Sequence, residues 1–249
     1  MDIQGKTVIV TGGGGGIGSA AACVLAARGA SIVLVDRNEG AMAAVLDRLT
    51  PGRHRSMNVD VGDAKAAAGV FDVLDGDGAQ LVGVVNAAGI VSGGSPWPAS
   101  DLGRMVSVVA INTAGTVLFS TLAARRPDQR GMVVVNVASA AAIRPHAPDP
   151  AYAASKAGVV AFTRSAAAAA VPGLRVNAVL PGVVRTPMLN DTGEDGVAPW
   201  LAPRLQHQLL SPEQVAETIE EFVVGDQNGE IWSLELDKAN PGRVLRSSL

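Results

Sequence analysis

The chain has 249 residues, a length that suits one α/β domain with a large core. Its net charge of −3 offers no broad basic surface for nucleic acid, and its one cysteine, Cys23, excludes an intramolecular disulfide and reads as a reducing compartment. Hydrophobic residues make up 48% and aromatic residues 3%, so the interior is expected to consist of Val, Leu, Ile and Ala, as in parallel strands covered by helices.

Met1 to Lys6 leads directly into a first strand without a signal-peptide pattern, and no uninterrupted apolar run reaches the length of a membrane span; a cytoplasmic protein with no membrane partner is expected. The β-branched run Val8 to Val10 predicts a buried strand ending at Thr11, the glycines Gly12 to Gly16 a tight turn, and Ile17 to Arg28 a helix. Such a loop lets the backbone approach a pyrophosphate, and the helix start offers free N–H donors, which makes Gly12, Gly16, Ile17 and Gly18 candidates for cofactor binding. A flexible linker, the other reading of five glycines, is out of place between a strand and a helix.

The next strand, Ile32 to Asp36, ends on a carboxylate 20 residues beyond Gly16, where a dinucleotide fold holds the adenosine ribose hydroxyls. Asp36 would repel a 2′-phosphate, which favours NAD over NADP, although Arg37 beside it offers a phosphate partner. A solvated aspartate at a strand end is the plain alternative.

Further along, strands are predicted at His54 to Val59, Leu81 to Asn86, Met132 to Val137, Arg175 to Val179 and Ile231 to Leu234. Helices are predicted at Gly40 to Leu49, Asp63 to Leu74, Asp101 to Arg125, Ala151 to Ala170 and Ser211 to Val223. This alternation implies one α/β domain over 1–249: a doubly wound, mostly parallel sheet with helices on both faces in three layers, right-handed crossovers, and ligands at the carboxyl ends of the strands. The irregular stretch Pro187 to Leu210, with Pro199, Trp200 and Pro203, is long enough to be a substrate lid.

Tyr152 and Lys156 stand four residues apart, which on a helix stacks a phenol beside an ammonium. A fixed cation stabilises a phenolate, so the pair reads as a proton-transfer device; an ordinary helix carrying both is the bland alternative. Ser139 lies just past the strand Val133 to Val137, at the rim where a cofactor would sit, and could donate to a substrate oxygen or merely cap a turn. Arg144, His146, Trp97 and Trp200 are possible pocket residues, each equally explicable as a loop residue. His54 and His207 lack ligand-like spacing, so no metal is expected.

Together these motifs resemble the short-chain dehydrogenase/reductase family in its compact single-domain, Rossmann-like branch. The resemblance runs from about Lys6 to about Thr186: Thr11-Gly12-x-x-x-Gly16-Ile17-Gly18, Asp60-Val61, Asn86-Ala87-Ala88-Gly89, Asn112, Ser139, Tyr152, Lys156, and the Pro181-Gly182 turn with Val184 and Thr186. It implies hydride exchange between NAD and a secondary alcohol or its ketone, more often as oxidation, with Tyr152 as acid/base, Ser139 holding the oxygen, and Lys156 lowering the tyrosine pKa and binding the nicotinamide ribose. Asn112, inside a predicted helix, would hold a water linking Lys156 to solvent; a helix-surface amide is the alternative. Asp60 and Val61 would meet the adenine, and Asn86, Ala87, Gly89, Pro181, Gly182, Val184 and Thr186 would line the cofactor. An NADPH-dependent carbonyl or 3-oxoacyl reductase and a non-enzymatic nucleotide sensor are the rival readings.

Two departures stand out. Ala87 replaces a second asparagine common in the family, and Leu234 to Gly242 replaces a frequent Asp-Gly-Gly after the last strand. A homodimer or homotetramer is expected, packed through the 151–170 helix by Ala157, Gly158, Ala161, Ser165, Ala168 and Ala169.

Overall fold

The computed structural model describes residues 1–126, 131–193, 196–205, 209–237 and 243–249, with backbone only at 203 and 204. His207 and residues 238–242 of the departing carboxyl segment lie outside the described residues. The described strands are β1 (Thr7–Thr11), β2 (Ser31–Asp36), β3 (Arg55–Asn58), β4 (Leu81–Asn86), β5 (Met132–Val137), β6 (Leu174–Pro181), β7 (Ile231–Leu236) and β8 (Val244–Ser248). They form one sheet in the order β3-β2-β1-β4-β5-β6-β7-β8, parallel throughout except for antiparallel β8. The order reverses between β1 and β4, which opens a crevice at their carboxyl ends.

The β-branched strands are buried on both faces and divide their side chains by the two-residue period of a strand. Val8 and Val10 of β1 join Val133 and Val135 of β5 under α1 (Gly16–Ala27), α2 (Glu39–Leu46) and α8 (Pro212–Val224). Ile9 and Val134 point the other way, under α3 (Ala64–Gly76) and α5 (Thr116–Ala124). α6 (Pro150–Ala168) covers β6 and β7 by packing Val159 and Val160 on Ala178, Leu180 and Ile231. The expected three layers are therefore present. Asn38, Asp63, Asp101 and Asp149 cap α2, α3, α4 (Leu102–Val109) and α6 through their side chains, which fixes where each helix enters from the sheet.

Three expectations are corrected. The single helix predicted over 101–125 is α4, a π-helical segment Ala110–Gly115, and α5, with Asn112 buried in the π-segment; a 3.6-residue pattern does not encode this widened turn. By length and composition the span Leu102–Ala124 could cross a membrane, but here Val108, Phe119 and Ala123 are buried in the domain. β8 was not expected, because its short, exposed sequence lacks a two-residue apolar alternation. Finally, β3 starts after His54, whose Nδ1 accepts from the Ile32 amide at 3.1 Å and whose Nε2 lies 2.7 Å from the Thr50 carbonyl oxygen, so this ring braces the β2 edge.

Candidate active site

The crevice begins at the β1–α1 loop. Gly12 has φ +64, and a Cβ there would lie 2.7 Å from the Ala88 backbone, so the loop can press against the end of β4 only without a side chain. A Cβ on Gly16 would lie 2.5 Å from Thr186 Cγ2, which ties the start of α1 to the segment after β6. Between these contacts lies a cleft of about 320 Å³ lined by the loop glycines, Asp36, Asp60, Ala87, Gly89 and Thr186.

Asp36 closes one end of the cleft. Its Oδ2 accepts from the Gly14 amide at 3.0 Å and its Oδ1 from the Asn38 amide at 3.0 Å. A carboxylate accepts about four hydrogen bonds, so acceptor positions remain for two ribose hydroxyls. Arg37 Nη1 lies 3.4 Å from Asp60 Oδ2, with both side chains substantially exposed. The cation beside Asp36 is thus paired away from the site a 2′-phosphate would take. Bare loop backbone, a helix start and this carboxylate fit the pyrophosphate and ribose of a dinucleotide.

Behind Gly89, which lines the cleft, Tyr152 and Lys156 come from the first turns of α6, which starts on the N-cap Asp149 and Pro150. Lys156 is 4% exposed, and its Nζ donates to the Val137 carbonyl at 2.8 Å. Burial lowers its pKa to about 8. Ser139 follows β5; its Oγ accepts from the Ala141 amide at 3.2 Å, capping the next turn, and its hydroxyl is near enough to Tyr152 to favour the phenolate. Gly89 allows the approach of Lys156 and Asn112: a Cβ there would lie 3.3 Å from both Lys156 Nζ and Asn112 Oδ1.

The expected lowering of the Tyr152 pKa by Lys156 is not the dominant effect. Burial raises it; the Ser139 hydrogen bond opposes this, and the negative charge of Asp149 adds to the rise. The ammonium stands 5.9 Å from the ring centroid with a proton committed to Val137, too weakly engaged to outweigh desolvation. Asn112 differs too. Its Oδ1 accepts from the Ile90 amide at 2.8 Å, and its Nδ2 donates to the Ile90 carbonyl at 2.9 Å and to Ser155 Oγ at 3.0 Å. The amide braces the π-segment, the post-β4 loop and α6 rather than lying on a helix surface.

Other expected residues are placed as follows. Gly12, Gly16, Ile17, Gly18, Asp36, Arg37, Asp60, Val61, Ala87, Gly89 and Thr186 line the cleft. Asn86 does not: it is 2% exposed, and its Nδ2 donates to Ser120 Oγ at 3.0 Å and Asn136 Oδ1 at 2.9 Å inside the domain. Pro181 and Gly182 hold the β6 end to Leu234, and Val184 pairs with Leu210 across the base of the following segment. Arg144 is ion-paired with Glu235, and Trp97 is 56% exposed. His146 lies between Tyr152 and Trp200, with ring centroids 6.1 and 5.2 Å away. Sequence reading passed over Gly14, Asn38 and Asp149. Asp149-Pro150 carries the cap-then-proline signature of a helix start, so that signal was available.

A doubly wound sheet with a glycine loop at its switch point and a Ser-Tyr-Lys cluster opposite defines a dinucleotide-dependent oxidoreductase class. A short chain dehydrogenase family model matches residues 6–196. The chain belongs to this short-chain dehydrogenase/reductase family and is an oxidoreductase acting on CH–OH groups. It is 36% identical to cis-4-hydroxycyclohexanecarboxylate dehydrogenase of Sinomonas cyclohexanicum, over 86% of this chain and 87% of that protein. It is 31% identical to 15-hydroxyprostaglandin dehydrogenase [NAD(+)] of Mus musculus, over 96% and 93%. The crystal structure of levodione reductase superposes with a TM-score of 0.80 at 28% identity, covering 93% of this chain and 96% of that one.

Proposed function

We propose that this chain is an NAD-dependent dehydrogenase that interconverts a secondary alcohol and its ketone, with Tyr152 as the acid/base. The observation that carries this reading is buried Lys156 beside the glycine-lined cleft, where a Cβ on Gly89 would lie 3.3 Å from its Nζ, with Tyr152 one helical turn before it on α6 and Asp36 lining the same cleft. NAD, when bound, supplies the hydride acceptor. Asp36 would hold the adenosine ribose hydroxyls, the Gly12 to Gly16 backbone the pyrophosphate, Asp60 and Val61 the adenine side, and Lys156 the nicotinamide ribose. Gly89, Val184 and Thr186 would shape the wall near the reacting ring.

Ser139 would donate to the substrate oxygen, and Tyr152 would take the hydroxyl proton in oxidation or return it in reduction. A phenol held protonated by burial is ready as the acid for reduction, and oxidation therefore gains as pH rises. Asn112 would support the proton relay by bracing the loop and helix beside Lys156, with both close to the would-be Cβ of Gly89.

The chain is read as one domain over 1–249, with 187–210 as a substrate lid. Within that stretch, Trp200 already rests on His146 beside Tyr152. Ala161, Ser165, Ala168 and Ala169 of α6 are exposed, which supports a homodimer or homotetramer through this helix, whereas Gly158 is explained inside the domain by Thr113, 3.1 Å from its would-be Cβ. A cytoplasmic location accords with the reduced-cysteine reading. Arg37 keeps an NADPH-dependent reductase as the second reading, though its pairing with Asp60 weighs against it.

The test is NADH formation over a panel of secondary alcohols that includes cis-4-hydroxycyclohexanecarboxylate. Turnover with at least one is expected; activity confined to NADPH-driven carbonyl reduction would transfer the conclusion to the second reading.

A further inference from the structure

Asp149 does more than begin a helix. Its Oδ1 accepts from the Tyr152 amide at 3.0 Å and from Ser92 Oγ at 2.7 Å, and its Oδ2 accepts from the Ser92 amide at 2.8 Å. Cap and loop are 57 residues apart in sequence, and both are buried, Asp149 to 8% and Ser92 to 8% exposure. The same loop makes a second link to the turn before α6, where the Trp97 amide donates to the Pro148 carbonyl at 3.0 Å. An N-cap needs one oxygen; the second carboxylate oxygen and the Ser92 hydroxyl are surplus to capping.

We infer that Asp149 is a positioning residue of the active site, holding the Ser92 loop against the head of α6 and setting a carboxylate on the Tyr152 amide, in the first turn of the helix that carries the phenol. This rests on the acid/base role proposed for Tyr152. A negative charge disfavours phenolate, so Asp149 keeps the phenol protonated to higher pH, in accord with the direction of its influence on Tyr152. Other groups share the field. From α6 comes Lys156, from the preceding turn His146 with its ring 6.1 Å from that of Tyr152, from α4 Arg104 with Nε donating to the Val91 carbonyl at 2.9 Å, and from the segment after β6 Asp191, whose backbone packs on Gly93. Ser139 supplies the opposing hydrogen bond. Of these, Asp149 alone is bonded both to the Tyr152 backbone and to the post-β4 loop.

Tyr152 is the only tyrosine in the chain, so the near-ultraviolet phenolate band of the whole protein titrates this one group. Asp149→Asn retains a good N-cap and loses the charge, and the Tyr152 midpoint is expected to fall by about one pH unit. Asp149→Ser, a second capping residue without charge, is expected to lower it likewise should the asparagine variant not fold. Ser92→Ala keeps the charge and is expected to leave the midpoint unchanged or raised. A folded, neutral variant at 149 whose midpoint does not fall overturns the inference, as does a fall in Ser92→Ala.

The pH profile of NAD-dependent oxidation of cis-4-hydroxycyclohexanecarboxylate separates the two readings. A rate inflection that moves down with the midpoint supports both. A midpoint that falls while the rate inflection stays fixed leaves Asp149 acting on Tyr152 as inferred and overturns the acid/base role of Tyr152. Uniform loss of rate at every pH with an unmoved midpoint makes Asp149 a helix cap only.

Discussion

The two ends of the cleft are assembled by different means. At the proposed adenosine end, Gly12, Gly14 and Asp36 lie within one strand–loop–helix–strand unit, with the Gly14 amide on the Asp36 carboxylate at 3.0 Å and the Gly12 backbone pressed on that of Ala88 beyond β4. In the proposed catalytic cluster, Ser139 follows β5, Asn112 lies in the π-helical segment, and Tyr152 and Lys156 share α6. They are aligned by side chains that bridge 43 residues between Asn112 and Ser155 and 57 between Ser92 and Asp149. The first arrangement needs small residues in order; the second needs the tertiary fold to be complete. Substitutions at the catalytic end should therefore separate chemistry from cofactor binding, while those at the adenosine end should change binding alone.

The largest expected effect comes from removing one oxygen. Tyr152→Phe should lower kcat/KM by about a thousandfold, within the range that general acid–base catalysis contributes, while the NADH dissociation constant moves by less than about twofold. Steady-state rates and NADH fluorescence titrations check both halves. Loss of NADH affinity equal to the loss of rate would erase the contrast between the two ends.

Next is the free-energy consequence of burying Lys156. Its pKa is about 8 in the folded protein against 10.5 in the unfolded chain, so the native state binds this proton less tightly. Below about pH 8 the buried ammonium destabilises the fold by about 3 kcal/mol relative to a neutral group, and the penalty fades as pH rises toward 10.5. The stability of Lys156→Met relative to the unmodified protein should accordingly be highest below pH 8 and decline by about 3 kcal/mol by pH 10.5, read from urea midpoints across pH. A difference that is flat with pH would mean that the ammonium is as well solvated in the fold as in the unfolded chain.

The same contrast explains what could be read before the fold was known. The Val8 to Val10 run, the loop glycines and the position of Asp36 are local patterns: the first forms the buried strand β1, and the glycines and Asp36 line the cleft at its end. The Tyr152–Lys156 spacing was equally legible, because four residues make one helical turn. What escaped was long-range or broken in period. Asn112 sits in a π-segment that no 3.6-residue pattern announces, and Arg144 is captured by Glu235, 91 residues away. Asn86 resembled a cofactor contact, yet its amide nitrogen is committed to Ser120 and Asn136, partners that the packing of α5 and the β4–β5 pairing bring near. The Tyr152 pKa was misjudged for a related reason: spacing shows the neighbouring cation but not the burial that outweighs it.

The smallest effect concerns the one side chain on which the adenosine end relies. Asp36 is held by the Gly14 and Asn38 amides, so under the proposed reading its carboxylate would meet hydroxyls in NAD and a phosphate in NADP. NADH is expected to bind more tightly than NADPH, and Asp36→Ser should narrow the gap about tenfold, roughly 1.4 kcal/mol, by relieving like-charge repulsion and removing ribose hydrogen bonds. The backbone cradle remains, so binding of both cofactors should weaken little beyond that exchange. Arg37 sharpens the test: its partner Asp60 is 3.4 Å away and exposed, leaving Arg37 free to swing to a phosphate once Asp36 is gone. Asp36→Ser combined with Arg37→Ala should then recover less NADPH affinity than Asp36→Ser alone in direct fluorescence titration. If the unmodified protein already prefers NADPH, the carboxylate does not decide the cofactor, and the adenosine end depends on long-range pairing as much as the catalytic end does.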